Sequence, residues 1–372
     1  MTQPRTYLDY NASAPLRPEA REAVLAALGV AGNASSVHAE GRRARAMIDE
    51  ARDAVSALVN ARASEVVFTS GATESNTWAL SAPWDRIAFA DVEHDSIRAP
   101  AVQIAAKRGA EAIHLPVSAD GTVDFRSVAP GANTLLVLQM ANNETGVLQD
   151  VEAAGRWATE NGARLHTDAV QAPGRARIDF AQLGAHTMSL SAHKIGGPKG
   201  IGALVIGAGV ALDPLLAGGG QEQRRRAGTE NVAAIAGFGA AARAALDDLD
   251  SASRVAALRD SLEAAVIAAT PQAVVIGRDA PRLCNTSTIA LPGTSAETAV
   301  IKLDLKGIAV SAGSACSSGK VGESHVLRAM GLSPEIARSA IRVSLGPDTT
   351  EQDIAAFVAA WKGIHGGASL AA

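Results

Sequence analysis

The 372-residue sequence has little of what marks several classes of protein. Its two cysteines, Cys284 and Cys316, are too few for a disulfide framework, or for a zinc or iron–sulfur site made within one chain. No apolar run approaches the roughly 18 residues of a membrane helix, and none follows the N-terminus as it does in a secretion signal. We therefore expect a cytoplasmic protein without a metal site.

Positive charge is not in excess either. The 34 Lys and Arg residues stand against 38 Asp and Glu residues, giving a net charge of −4 at pH 7. Nucleic acids and membrane surfaces are therefore not expected as partners. With 47% hydrophobic and 19% charged residues, the composition is typical of a globular protein, and the length predicts two domains.

From about residue 65, short β-branched segments alternate with helical ones. The pattern predicts strands at 65–70, 86–91, 112–117, 134–140 and 164–168, and helices at 71–80, 96–108 and 151–161. Such alternation indicates an α/β protein with a mostly parallel, doubly wound sheet, whose ligands bind beyond the carboxyl ends of the strands. Strands at 187–191 and 201–206 follow, joined by a glycine-rich turn typical of a hairpin.

The rest of the chain predicts a second unit. Ala-rich helices at 230–246 and 253–269 lead away from the sheet, and shorter strands and helices then alternate up to a closing helix at 350–364. The usual size of domains suggests a large domain over 16–252 and a smaller α+β domain over 253–372. Residues 1–15 are expected to pack with the small domain.

Lys194 and Asp168 are predicted at the ends of neighbouring strands. A lysine that forms a Schiff base must be neutral to attack an aldehyde, and burial or a neighbouring cation favours that state. A carboxylate such as Asp168 keeps a pyridine nitrogen protonated, as pyridoxal phosphate (PLP) chemistry requires, and Gln171 could reach the ring hydroxyl. Taken singly, a solvated lysine and an aspartate that caps a loop are the commoner outcomes.

Two further strand-end loops could bind parts of a cofactor. Thr73 lies where a helix opens directly after a strand, and amides at a helix N-terminus suit a phosphate. An ordinary helix cap is the alternative there. The imidazole of His94 could stack on a ring and exchange protons, whereas a plain surface histidine is the alternative.

Arg342 lies inside an apolar segment of a predicted strand. A guanidinium there must be paired, and an amino-acid carboxylate is a natural bidentate partner, although an internal Asp or Glu would serve equally. Cys316 lies in a small, polar segment with two glycines, which indicates a loop rather than core packing. Its thiol is thus a candidate nucleophile, whereas Cys284 is expected to be structural.

The motifs resemble, in order and spacing, those of the cysteine desulfurases, which are class V, fold type I PLP enzymes. The resemblance is closest to the group that serves nitrogenase and housekeeping iron–sulfur assembly. It rests on Asp168 with Gln171 and on the segments 191–194, 226–231 and 311–317, and the segments 7–11 and 33–38 extend it nearly end to end. Alanine stands at positions 34 and 192, where that family often has proline and glycine.

The resemblance implies roles for individual residues. Lys194 would hold the cofactor, Asp168 would face the pyridine nitrogen, Gln171 the ring hydroxyl, and His94 would stack on the ring as a catalytic residue. The implied phosphate ligands are Thr73, Ser191, His193 and, from the other subunit of a homodimer with shared active sites, Thr229. Ala72 would also bind the cofactor.

The same resemblance implies the substrate and the reaction. Asn143, which would also contact the cofactor, and Arg342 would bind the carboxylate of L-cysteine. Cys316 would take the sulfur as a persulfide and leave L-alanine, for delivery to a sulfur-acceptor protein such as an iron–sulfur scaffold. The alternatives on this fold are a selenocysteine lyase, a class V aminotransferase and a non-catalytic assembly scaffold. An aminotransferase needs no thiol, and a scaffold needs neither Lys194 nor Cys316.

Overall fold

The computed structural model describes residues 5–129, 131, 133–313 and 323–365. The strands of these residues are β1 (Thr6–Tyr7), β2 (Val66–Thr69), β3 (Arg86–Ala90), β4 (Glu111–Leu115), β5 (Thr134–Val137), β6 (Arg164–Asp168), β7 (Thr187–Ser191), β8 (Gly202–Ile206), β9 (Val274–Ile276), β10 (Thr286–Ala290), β11 (Ile308–Ala309), β12 (Ser311–Ala312) and β13 (Ala340–Ser344). The helices are α1 (Pro18–Leu28), α2 (Ala39–Leu58), α3 (Ala72–Leu80), α4 (Asp95–Arg108), α5 (Val151–Glu160), α6 (Val232–Asp248), α7 (Ala252–Ala269), α8 (Ala296–Leu305), α9 (His325–Ala329), α10 (Pro334–Ser339) and α11 (Glu351–His365).

Seven strands form the main sheet in the order β2-β8-β7-β6-β5-β3-β4. β8 runs antiparallel to both of its neighbours, and every other pair is parallel. The predicted α/β class with a mostly parallel sheet is confirmed, as is the hairpin of β7 and β8. Because β2, β3, β5, β6 and β7 point the same way, their carboxyl ends share one edge of the sheet.

A glycine pair allows the chain to turn tightly at that edge. Gly71, between β2 and α3, has φ of +154°, a backbone conformation that favours glycine. Across from it, a Cβ atom added to Gly202 would lie 2.7 Å from the Cα of Gly71 and 2.5 Å from the carbonyl oxygen of Leu190. The two glycines therefore let the N-terminus of α3 approach the start of β8.

Two helices precede the predicted pattern. α1 and α2 both pack against α6, and the buried face of α2 consists largely of small residues such as Ala44, Ala51 and Ala54. Alanine contributes little apolar contrast, so periodicity marks such a helix weakly. The close packing of α2 on α6 depends on glycine, since a Cβ atom at Gly239 of α6 would lie 2.5 Å from the Cα of Ala51 in α2.

A second, antiparallel sheet follows in the order β12-β13-β10-β9, and β1 pairs with β11 in parallel. A separate apolar cluster joins this sheet to α7, α8 and α11, and it includes Leu8 from the N-terminal segment. The division into domains at residues 252 and 253 remains a prediction. No helix in the part of the chain that the structure describes is long and apolar enough to cross a membrane.

Candidate active site

A cavity of about 590 Å³ opens at the carboxyl edge of the main sheet. It is lined from strand ends and the loops that follow them, as expected for a doubly wound sheet. Nine residues singled out in the sequence line it: Ala72, Thr73, His94, Asn143, Asp168, Gln171, Ser191, His193 and Lys194.

Lys194 closes a single 3₁₀ turn directly after β7. Its Nζ atom donates to the backbone carbonyl oxygens of Asn11 at 2.5 Å and Ala12 at 3.0 Å. The N-terminal segment therefore holds the amine in the cavity. Asn11 is fully buried and also connects to the second sheet, because its side chain donates to Thr286 Oγ1 at 2.9 Å.

Asp168 ends β6 and lies on the strand next to β7, as the sequence predicts. Its carboxylate is buried, and both oxygens accept N–H groups. Oδ1 accepts the amide of Val170 at 3.0 Å, and Oδ2 accepts Nδ2 of Asn76 at 2.8 Å. Hydrogen bonds of this kind stabilise the charged form of the carboxylate in a buried place.

The side chain of Gln171 is held by the guanidinium of Arg175, which does not itself line the cavity. Its Oε1 accepts Nη1 of Arg175 at 2.5 Å, and its Nε2 donates to the carbonyl oxygen of Asn11 at 3.1 Å. Because a guanidinium only donates, the amide of Gln171 must present its oxygen to Arg175. The N–H side is therefore the side turned toward Asn11.

The N-terminus of α3 forms one wall of the cavity, with Thr73 on its first turn and Ser191 and His193 across from it. Burial, with Lys194 and Lys199 nearby, lowers the pKa of His193 to about 4. The imidazole is thus neutral at neutral pH and can still donate one N–H. Backbone amides, hydroxyls and a neutral imidazole are donors suited to a phosphate.

The negative charge of Glu74, in the same first turn, is compensated by Arg226. Burial raises its pKa, but hydrogen bonds from Arg226 and Ser70 outweigh it and leave the pKa below its ordinary value. Arg226 Nε lies 3.0 Å from Glu74 Oε1. Thr229, three residues further on, does not line the large cavity but a neighbouring one, which shares Ser70 and Gly200 with it.

His94 caps the N-terminus of α4. Its Nδ1 accepts the amide of Ser96 at 3.1 Å and lies 2.8 Å from Ser96 Oγ. The N–H of Ser96 requires an unprotonated Nδ1, so a neutral His94 carries its proton on Nε2. The cap therefore selects the tautomer.

Arg342 is paired with an internal carboxylate, which is one of the two alternatives that the sequence left open. It is 1% exposed in β13, and its Nη2 lies 2.8 Å from Asp9 Oδ1. Nη1 donates to the carbonyl oxygen of Asn143 at 3.0 Å. Asn143 lines the cavity and Arg342 does not, so the guanidinium lies behind Asn143. Its buried Nε has no hydrogen-bond partner among the described residues.

Cys316 lies outside the described residues, but both flanks of its segment contact Glu144. Ser324 Oγ donates to Glu144 Oε2 at 2.6 Å, and a Cβ atom at Gly313 would lie 2.8 Å from the same oxygen. Burial raises the pKa of Glu144 to about 7.

Sequence reasoning missed the buried polar residues behind the cavity. Asn11, Asn76 and His166 are each fully buried, yet none lines the cavity. β6 is itself polar apart from Leu165, so His166 does not stand out within its strand. The partners of these three residues are distant in sequence, so the pattern alone could not assign them.

Comparison with known proteins identifies the family of this chain. Residues 6–357 match the family model of class-V aminotransferases. The chain belongs to the class-V aminotransferase family. Over 361 residues it is 42% identical to a cysteine desulfurase of Cereibacter sphaeroides, with 94% of this chain and 93% of that relative covered. The predicted resemblance to the cysteine desulfurases is confirmed.

Solved structures agree with the assignment. A NifS-like protein from Rickettsia africae has a TM-score of 0.88 at 32% identity, covering 97% of this chain and 99% of its own. A structure described as SspA in complex with cysteine has a TM-score of 0.79 at 29% identity, covering 93% of this chain and 100% of its own. The family's enzymes depend on PLP.

The residues of the cavity fit PLP. The Lys194 amine could hold the aldehyde, the hydrogen-bonded carboxylate of Asp168 could face the pyridine nitrogen, and the amide of Gln171 could donate to the ring hydroxyl. The helix N-terminus with Thr73, Ser191 and His193 supplies donors for the phosphate. The cavity thus offers a chemically matched group for each part of the cofactor.

Proposed function

We propose that the chain is a PLP-dependent cysteine desulfurase that converts L-cysteine to L-alanine and holds the sulfur as a persulfide on Cys316. The observation that carries the proposal is a juxtaposition. Lys194 and Asp168 share one cavity, and Glu144, next to Asn143 in its wall, contacts both flanks of the Cys316 segment. An aminotransferase would not need that second feature.

The protein side of the chemistry follows from the side chains in the cavity. PLP, when bound, supplies an electron sink for the amino-acid substrate. The Lys194 amine is the group that attaches the cofactor, and the Asp168 carboxylate holds a proton at the pyridine nitrogen. His94, whose Nδ1 accepts the amide of Ser96, can exchange a proton at Nε2.

Asn143 and Arg342 are proposed to orient the substrate carboxylate. Arg342 already has a carboxylate partner in Asp9, and Asp9 is itself held by Ser311 Oγ at 2.7 Å. The substrate would therefore add to, or replace, an existing ion pair. The buried Nε of Arg342 is the donor for which the described residues provide no partner.

The sulfur transfer balances with the Cys316 thiol and L-cysteine as its only reactants, while PLP, when bound, would supply the electron sink. As Cys316 attacks the substrate sulfur, the S–S bond forms, the C–S bond breaks, and its electron pair stays with the substrate carbon. That carbon takes a proton, so the products are L-alanine and the Cys316 persulfide, and no external oxidant is required. A thiolate is a far better nucleophile toward sulfur than a hydroxyl.

A homodimer with shared sites is part of the proposal. Thr229 is exposed and lines a cavity beside, not within, the candidate site of its own chain. This supports a role in the partner's site.

Mixing Lys194→Ala chains with Thr229→Ala chains gives mixed dimers with one site free of both changes. With random mixing we expect about a quarter of parental activity, and no gain over the separate variants would exclude the role in trans.

We further propose a cytoplasmic enzyme whose persulfide goes to an acceptor protein of the iron–sulfur scaffold type. The resemblance to the assembly desulfurases supports both statements. Incubation with L-cysteine and a thiol reductant should yield alanine and sulfide in equal amounts. Transfer of the amino group to a 2-oxo acid, without sulfide, would instead identify an aminotransferase and overturn the proposal.

A further inference from the structure

A buried network of hydrogen bonds runs behind the cavity from β7 to α4. Asn76 of α3 lies at its centre and contacts Asp168 Oδ2 at 2.8 Å, Ser96 Oγ at 2.9 Å and His166 Nε2 at 3.0 Å. His166 of β6 continues it through Nδ1, which lies 2.8 Å from Thr187 Oγ1. All five residues are buried, and Asn76 and His166 fully so, which strengthens the bonds between them.

The direction of each proton follows from the Asp168 carboxylate, which only accepts. Asn76 must therefore turn its amide nitrogen to Asp168, and its Oδ1 then faces His166. For that contact to be a hydrogen bond, His166 must carry its proton on Nε2. Its Nδ1 then accepts the hydroxyl proton of Thr187. Burial lowers the pKa of His166 to about 4, which agrees with a neutral ring.

The second N–H of Asn76 sets the other branch of the network. Ser96 Oγ accepts it, so the hydroxyl proton of Ser96 is available for His94 Nδ1, 2.8 Å away. The chain of donors thus runs from His166 through Asn76 and Ser96 to His94. It joins His94 to Asp168, the two residues expected on a face and at the nitrogen of the cofactor ring.

We propose that His166 is a positioning residue that, through Asn76, orients the Asp168 carboxylate and the ring of His94 together. This rests on the proposed function insofar as those two groups serve the cofactor. Without the N–H of His166, Oδ1 of Asn76 loses this partner, and the amide is held only by its bonds to Asp168 and Ser96. Rotation of the loosened amide would weaken its donation to the Asp168 carboxylate and to Ser96 Oγ, and so disturb both branches of the network.

The test compares His166→Phe with His166→Gln in the PLP-loaded protein. Phenylalanine keeps the ring shape and removes both nitrogens, whereas the amide nitrogen of glutamine lies near the place of Nε2 and can still donate. We expect the phenylalanine variant to bind PLP about ten- to a hundredfold more weakly, on the scale of one hydrogen bond to a charged group. The glutamine variant should recover most of that loss.

A second readout does not depend on cofactor affinity or activity. With ¹⁵N-labelled histidine, His166 should show a protonated Nε2 and an unprotonated Nδ1. The Nδ1 signal of His94 should move in His166→Phe and return in His166→Gln, although Asn76 and Ser96 separate the two rings. Asn76→Ala should give the same displacement if His166→Phe does not fold.

The outcomes separate this inference from the proposed function. A parent protein that binds PLP, with an unmoved His94 signal and unchanged affinity in His166→Phe, overturns the inference alone. A protonated Nδ1 on His166 overturns it as well. A parent that binds no PLP contradicts the proposed function, and the displacement of the His94 signal still decides whether the network couples the two residues.

Discussion

The two ends of the cavity differ in how their charged groups are satisfied. At the main-sheet end, both oxygens of Asp168 accept N–H groups and the Lys194 amine donates to two carbonyl oxygens. At the end near the second sheet, Arg342 is paired with Asp9 but keeps an Nε atom without a partner in the described part of the chain. Glu144 is buried there with a raised pKa.

The difference matches the proposed roles of the two ends, which are cofactor binding and substrate binding. A cofactor stays bound through many turnovers, so its groups can be held in place permanently by the fold. A substrate must enter and leave, and its carboxylate needs a cation whose bonding is incomplete beforehand. The first end is therefore preorganised, and the second retains capacity for a charged ligand.

The largest effect is expected at the preorganised end. Lys194→Ala should lower desulfurase activity at least about a thousandfold, because the amine that attaches the cofactor is lost. Activity and the visible absorbance of the bound cofactor are the measurements. Lys107→Ala, at an exposed position on α4, is the matched control and should stay close to the parent. Equal losses in the two variants would contradict the assignment of Lys194.

A smaller effect is expected at the second end. Arg342→Gln should raise the KM for L-cysteine about a hundredfold, because a bidentate cation for the carboxylate is lost. It should also lower the free energy of unfolding by about 3 kcal/mol, since Asp9 is left without its partner. Steady-state kinetics and urea unfolding measure the two effects. A loss of stability with an unchanged KM would make Arg342 purely structural.

Much of this comparison could be predicted from the sequence, but unevenly. Asp168, Lys194 and the loop at Thr73 follow directly from strand ends, because parallel strands bring their carboxyl ends to one edge. The pairing of Arg342 with Asp9 joins residues at opposite ends of the chain, and no local pattern reports it. The same holds for Asn76 with His166, whose contact depends on how α3 packs on the sheet.

The last effect concerns Glu144 and the pH dependence of stability. Its folded pKa, about 7, lies above the ordinary value of 4.5, so the folded protein holds a proton that the unfolded chain has lost. The free energy of unfolding should therefore fall as pH rises from about 4.5 to 7, by up to about 1.4 kcal/mol per pH unit from this group.

Glu144→Gln removes that titration. Its free energy of unfolding should decline less than the parent's over the same pH range, because glutamine has no proton to lose. Urea unfolding of the holoenzyme at pH 5, 6 and 7, chosen to span about that window, gives the comparison. Parallel curves for parent and variant would show that Glu144 does not carry a raised pKa.

Mass spectrometry of the peptide that carries Cys316, taken after incubation with L-cysteine, tests the desulfurase assignment most directly. The parent peptide should gain one sulfur atom, and Cys284→Ser should behave like the parent. Cys316→Ser should still bind PLP, release almost no alanine and show no added sulfur. Alanine formation at the parental rate by Cys316→Ser, or the added sulfur on Cys284, would contradict the account.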